Sequence, residues 1–157
     1  MKLLPDFPDE SRVWLYATDR ALTDKEMTEL QKEIDFFVQK WAAHGDKLWA
    51  AGKVLNPYFV CFAVNDNLTP PSGCSIDASV HFLKVQEKQF GVDFFNRLKV
   101  VLYIDDDYKL EDFYKINSEF YTGKELVFDP MVGDLKRLRH LWPMPLNISS
   151  FSTFFES

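Results

Sequence analysis

Leu48-Trp-Ala-Ala-Gly-Lys-Val-Leu-Asn-Pro-Tyr-Phe-Val-Cys-Phe-Ala-Val64 sets two apolar runs on either side of Asn56-Pro57. Proline cannot donate to a strand ladder and asparagine favours turns, so the stretch predicts a β-hairpin. Upstream, Thr23-Asp-Lys-Glu26 is a capping-box pattern. Met27, Leu30, Ile34, Phe37 and Trp41 come next at three- and four-residue steps, which predicts a helix ending near His44-Gly45, where glycine suits a left-handed cap. Before that helix, Arg12-Val-Trp-Leu-Tyr-Ala-Thr18 is rich in aromatic and branched residues and reads as a strand. Beyond the hairpin come a loop with Pro70-Pro71, a second helix from about Cys74 to Phe90 stopped by Gly91, and a strand at Leu98–Ile104 ended by three aspartates. The order β-α-β-β-α-β is an α+β pattern of the ferredoxin-like, split β-α-β type. Right-handed crossovers set its third strand between the first and second, and its first between the third and fourth, with both helices on one face.

The chain reads as one domain over 1–157, with a core at about 11–105 and a C-terminal extension at about 106–157 packed on it. In the extension, Leu110, Phe113, Asn117 and Phe120 predict a third helix capped by Gly123. Leu126-Val-Phe128 predicts an edge strand, and Leu135, Leu138 and Leu141 a short last helix. The tail from Ile148 to Phe155 carries three phenylalanines and is expected to be docked. In the second helix, Ile76, Val80 and Leu83 share one side, while Cys74, Ala78, His81 and Val85 share roughly the opposite one. Apolar character on both sides predicts a cover for the outer face, either the aromatic tail or a second copy of the chain in a homodimer.

Of the 157 residues, 46% are hydrophobic and 27% charged, which is globular composition. Eighteen Lys and Arg against 24 Asp and Glu leave a formal charge of −6, which argues against binding nucleic acid. Lys136, Arg137, Arg139 and His140 form the one basic cluster and read as a solvated face, as do the acids at 105–107. No run is long enough to span a membrane, and no signal peptide is visible at the N-terminus. Two cysteines are too few for a disulfide scaffold, so a cytoplasmic protein with two free thiols is expected, Cys61 buried in its strand and Cys74 in a turn. No Walker A loop, Gly-x-Gly-x-x-Gly, Gly-x-Ser-x-Gly or His-Glu-x-x-His is present, and three histidines and two cysteines lack metal-ligand spacing. No cofactor or metal is expected.

Ser72-Gly-Cys-Ser-Ile-Asp77 is the most suggestive segment. A loop entering a helix through these residues presents unpaired amides and the positive end of the dipole, which favours an anion on Ser72, Gly73 and Ser75 and lowers the pKa of a thiol. The split β-α-β order brings the end of the first helix and the start of the second to one sheet edge. Cys74 as nucleophile, His44 as base, and Asp66 or Asp77 orienting the imidazole then outline a thiol site. The plainer reading makes Ser72 or Ser75 an N-cap, lets Asp77 complement the dipole, and has His44 cap the first helix. The favoured function is a small-ligand or protein-binding module; the alternative is a thiol enzyme using Cys74 with His44. The partner is an unidentified small anion or protein, and the protein is a monomer or homodimer.

Ser11-Arg-Val-Trp-Leu-Tyr16, Trp41-Ala-Ala-His-Gly45, Ser72-Gly-Cys-Ser-Ile-Asp77 and Val92-Asp-Phe-Phe-Asn-Arg97 resemble a family of short bacterial proteins often labelled "ABC transporter ATPase". The resemblance runs from about Phe7 to Phe155 and is weaker after Ile104. An ABC ATPase needs a Walker A loop, a signature motif and a longer chain. The sequence has none of these, so the family name carries over as an expectation and the ATPase activity does not.

Overall fold

The strand β5, Phe59–Val64, is apolar and buried at all its positions, which a strand reaches when both faces of its sheet are covered. The computed structural model, which describes residues 2–43, 46–67 and 70–156, shows both covers. On one face Val60, Phe62 and Val64 pack with Leu30, Ile34 and Trp41 of the first helix region and Leu83 of the second. On the other, Cys61 and Ala63 pack with Val100, Leu102 and Val127, which belong to a second sheet. The layers are therefore helices, sheet, sheet.

The elements are, in chain order, β1 (Arg12–Ala17), α1 (Asp24–Lys40), β2 (Ala42–Ala43), β3 (Asp46–Lys47), β4 (Ala50–Asn56), β5, α2 (Gly73–Phe90), β6 (Lys99–Ile104), β7 (Asp107–Asp112), β8 (Leu126–Val127), α3 (Leu135–His140) and β9 (Met144–Pro145). The protein is α+β, with antiparallel sheets ordered β1-β5-β4 and β7-β6-β8-β9 and a small β2-β3 ribbon. The hairpin strand β5 lies between β1 and β4, as the split β-α-β order predicts.

The fourth strand departs from that order: β6 pairs with β7 and β8, not with β1. The cause is local. Asp105 and Asp106 both take left-handed φ, 54° and 59°, the conformation of a two-residue hairpin turn that asparagine and aspartate tolerate best after glycine. The chain therefore reverses at once, and 107–112 pairs along β6, which takes Leu110 out of the helix predicted over Leu110, Phe113, Asn117 and Phe120. Tyr108 and Leu110 alternate with Asp107, Lys109 and Glu111, a period of two that suits the strand. Only a single 3₁₀ turn, Phe113–Lys115, forms in the rest of the predicted helix. The predicted edge strand is also reassigned, since β8 lies inside its sheet between β6 and β9.

Thr23 and Glu26 close the predicted capping box of α1, and Arg20 clamps the Glu26 carboxylate through both oxygens at 2.9 and 2.8 Å. The helix stops earlier than predicted. Trp41 turns extended (φ −70°, ψ 132°), and its indole N–H donates to the Ser75 carbonyl at 2.7 Å. At the far end of α2, Gly91 takes the predicted left-handed cap at φ 65°. The aromatic tail does not cover α2. Phe151 packs into the core beneath the second sheet and lies beside Phe113, while Val85 and His81 on the outer face of α2 are exposed.

The Arg20 clamp, with the Thr23 backbone N–H, pulls the Glu26 carboxyl from 4.5 to about 2. A depressed acid stabilises the fold above its unfolded pKa and loses that contribution as pH falls toward the folded value. Stability is thus expected to fall between about pH 4.5 and about pH 2 with a component from this pair. Urea midpoints across that window check it: in Glu26→Gln the acid-limb slope should be shallower than in the parent.

The basic cluster is split by the fold. Lys136, Arg137 and His140 are exposed, but the Arg139 side chain is only 2% exposed. It donates to the carbonyls of Leu3, Leu4 and Phe7 at 2.9, 2.6 and 2.7 Å and to Asp9 Oδ1 at 2.7 Å. The lead-in to β1 is thereby tied to α3.

Candidate functional site

The sequence points to the start of α2, and the structure builds it as a capped helix. Ser72 Oγ accepts the Ser75 N–H at 3.1 Å, and Ser75 Oγ accepts the Ser72 N–H at 2.7 Å. This reciprocal box satisfies two of the amides expected to receive an anion and leaves those of Gly73 and Cys74. Ser75 is buried, Gly73 and Cys74 are exposed, and Asp77 is exposed in the next turn. Asp66 is half-buried in the turn after β5. The Trp41 bond to Ser75 brings the end of α1 against this turn. His44 lies outside the described residues. Among the described residues Cys74, Asp66 and Asp77 share no hydrogen bond or ion pair, and no cluster of three metal-ligating side chains occurs.

The two thiols differ sharply. Cys61 is fully buried beneath the second sheet, and burial pushes its pKa up to about 12; Cys74 is exposed. Alkylation with iodoacetamide near neutral pH should therefore label one thiol per folded chain, at Cys74, and two in urea, as read by intact mass. Two labels on the folded chain would contradict the packing of β5.

A different site emerges at the edges of the first sheet. On the β4 side, α1 covers the edge: the Gln31 carboxamide donates to the Gly52 carbonyl at 3.0 Å and accepts the Val54 N–H at 2.9 Å, imitating a neighbouring strand. The β1 side is treated otherwise. Thr18 N–H donates to Tyr58 O on the β4-β5 turn, so Trp14 and Tyr16 also turn their backbone groups toward β5, and Val13, Leu15 and Ala17 turn theirs outward. Val13 N–H reaches the Gly133 carbonyl at 3.1 Å, and the Ala17 carbonyl accepts Asn96 N–H at 3.1 Å. Between these two contacts, the outward N–H and C=O of Leu15 and the N–H of Ala17 meet no protein partner among the described residues.

This open edge lines a cleft of about 280 Å³ between the two sheets. Leu15, Ala17 and Phe59 face it from the first sheet, Val101 from the second, Phe128 from just past β8, and Met131 from the loop beyond. It is partly enclosed, whereas the larger hollow of about 860 Å³ beside Asp9 and His140 is a shallower surface groove. The volume stands near the lower end of the ~300–1,000 Å³ usual for small-ligand sites, and its mainly apolar walls match theirs.

The polar groups at the cleft are held in place. Asn96 donates from Nδ2 to the Thr18 carbonyl at 3.1 Å, and its Oδ1 accepts the amides of Leu98 and Lys99 at 3.1 and 3.2 Å. Behind the wall of Phe128, Pro130 and Met131, and outside the lining itself, buried Asp129 accepts Met131 N–H at 3.0 Å, Ser150 N–H at 2.8 Å and Ser150 O–H at 2.6 Å. Two cations, Arg97 and Lys99, line the cleft, and among the described residues no acidic side chain does. Lys99 is paired with Asp112, which holds its pKa above the ordinary lysine value. Arg97 is exposed and forms no ion pair among the described residues.

None of these cleft residues is a candidate on the sequence alone, because they are drawn from positions 15 to 151; Leu15, Tyr16 and Phe94–Arg97 lie in segments that carry the family resemblance, which assigns them no role. The one signal was indirect: once 105–106 is read as a hairpin turn, β6 has a partner and β1 is left with a free edge. No family model, curated protein or solved structure matches the chain. Among the described residues no helix is long and apolar enough to cross a membrane.

Proposed function

We propose that the protein is a cytoplasmic binding module that takes a small, largely apolar ligand into the cleft between its sheets. The observation that carries this reading is the coincidence of two features in one place. The partly enclosed apolar hollow described above lies against the stretch of β1 whose outward backbone hydrogen-bonding groups are unused among the described residues. In this reading β1-α1-β4-β5-α2-β6 is a ferredoxin-like, split β-α-β unit whose last strand has been drawn into the second sheet. The space reserved for that strand becomes the site. The likeness to the short bacterial family remains part of the proposal, without ATP hydrolysis.

The alternative, thiol chemistry at Cys74 with His44, has an exposed thiol and the contact of the α1 end with the α2 turn in its favour. The completed Ser72–Ser75 box makes the same turn a sound helix cap without any ligand, and the enclosed apolar hollow lies elsewhere. A homodimer through the exposed face of α2 is compatible with either reading.

Methyl-detected NMR with a panel of small apolar fragments tests the cleft. Shifts are expected at the methyls of Leu15, Ala17, Val101 and Met131 together, and they should vanish in Met131→Trp, which places a bulky ring over the mouth. Shifts confined to methyls beside the Cys74 turn, such as those of Ile76, or none at these four residues, would overturn the reading.

A further inference from the structure

The open segment of β1 has a specific hydrogen-bonding pattern. Outward Leu15 C=O and outward Ala17 N–H bracket one position of a partner running parallel to β1, opposite Tyr16: such a partner donates its N–H to the first and offers an oxygen to the second. The segment is short. Gly133 occupies the edge at Val13 and Asn96 occupies it at Ala17, and at about 3.3 Å per residue this leaves room for one or two ligand residues rather than a strand. A second copy of the chain adding a full strand does not fit that length. Next to Asn96, which holds the Ala17 carbonyl, stands Arg97, exposed and, among the described residues, without an ion pair or an acid in the cleft lining, on a protein of net charge −6.

Resting on the cleft reading above, we infer that the ligand is an N-acylated apolar amino acid with a free α-carboxylate. Its N–H donates to Leu15 C=O. One carboxylate oxygen accepts from Ala17 N–H, and the other faces the Arg97 guanidinium, a charge-assisted contact. Opposite Tyr16, its side chain lies on the Tyr16 face of the sheet beside Phe95, and its acyl group, opposite Leu15, enters the apolar walls formed by Val101 and Phe128. The same chemistry is presented by a free N-acyl amino acid and by the last residue of a peptide, a recognition mode that joins strand addition to carboxylate capture.

Isothermal titration of the full chain separates the contributions. N-acetylphenylalanine is the reference probe; N-acetylphenylalaninamide lacks the carboxylate and 3-phenylpropionate lacks the amide. Each analogue is expected to bind about tenfold more weakly than the reference, and Arg97→Gln, a surface change that leaves the melting temperature unaltered, to weaken the reference about tenfold but not the carboxamide. A short peptide ending in phenylalanine binding more tightly than the reference identifies a protein C-terminus as the source; equal binding identifies the free acyl amino acid. If all three small probes bind equally and Arg97→Gln changes nothing, the ligand class is overturned while the cleft stands. If apolar fragments shift the cleft methyls but none of the carboxylates binds, the ligand class is likewise overturned and the cleft again stands. If neither fragments nor probes bind, the cleft reading fails as well.

Discussion

Replacing Gly52 with alanine is expected to cost about 2–3 kcal/mol, and with valine more than that. A Cβ placed on Gly52 lies 2.3 Å from Ile34 Cγ2 and 3.1 Å from two atoms of the Phe62 ring. Ile34 and Phe62 are fully buried, and the clashing methyl is a branch at the Ile34 Cβ, which no rotation of a long side chain can carry away. The close approach of α1 to β4 at this glycine is also what lets Gln31 reach the β4 edge. Relief of the clash therefore moves the helix and strips that edge of its substitute partner. Thermal melts should show Gly52→Ala lower by very roughly 4–12 °C in a chain of this size. Full rescue by Gly52→Ala, Ile34→Val is not expected, since Ile34→Val removes only the Cδ1 methyl and keeps the clashing branch.

The second large effect is expected at Arg139. Its guanidinium ties down three lead-in carbonyls and the Asp9 carboxylate from a side chain 2% exposed. Hydrogen bonds to a charged group are worth about 1.5–3 kcal/mol each and do not add, so Arg139→Met should cost about 3 kcal/mol or more. Arg139→Lys should recover little, because one ammonium cannot reproduce the planar fork that spans Leu3, Leu4, Phe7 and Asp9. The loss should be local before it is global. Limited proteolysis is expected to cut first within residues 2–10 in both variants, and a uniform loss of protection would contradict a tethering role.

These two positions mark what a sequence discloses and what it hides. The α1 cap, the five-residue apolar face and the Asn56-Pro57 turn are legible because each signal lies within a few residues of its consequence. Gly91 is equally legible, as a left-handed stop at the end of an apolar period. Arg139 is not, since it stands among solvated cations and differs from them only in what the chain's other end brings to it. The second sheet is hidden for a related reason. Its strands β8 and β9 are two residues each, too short to carry a period, and its longest hairpin turns on two aspartates that read as a solvated acidic run. Misreading that turn assigned β6 to β1 and so concealed the edge along which the cleft runs. The Cys74 turn is legible as a helix start, but its own serines occupy half of its amides, which the spacing alone does not tell.

The open edge of β1 is the claim on which the site depends, and amide hydrogen exchange of the free protein tests it residue by residue. Val13, Trp14 and Tyr16, each with a backbone partner, should exchange slowly, whereas Leu15 and Ala17 should exchange at least about tenfold faster through local rather than global opening. Addition of a cleft ligand should then slow Ala17. Leu15 and Ala17 protected as strongly as their neighbours in the free protein would mean that another strand already lies along β1, leaving no site there.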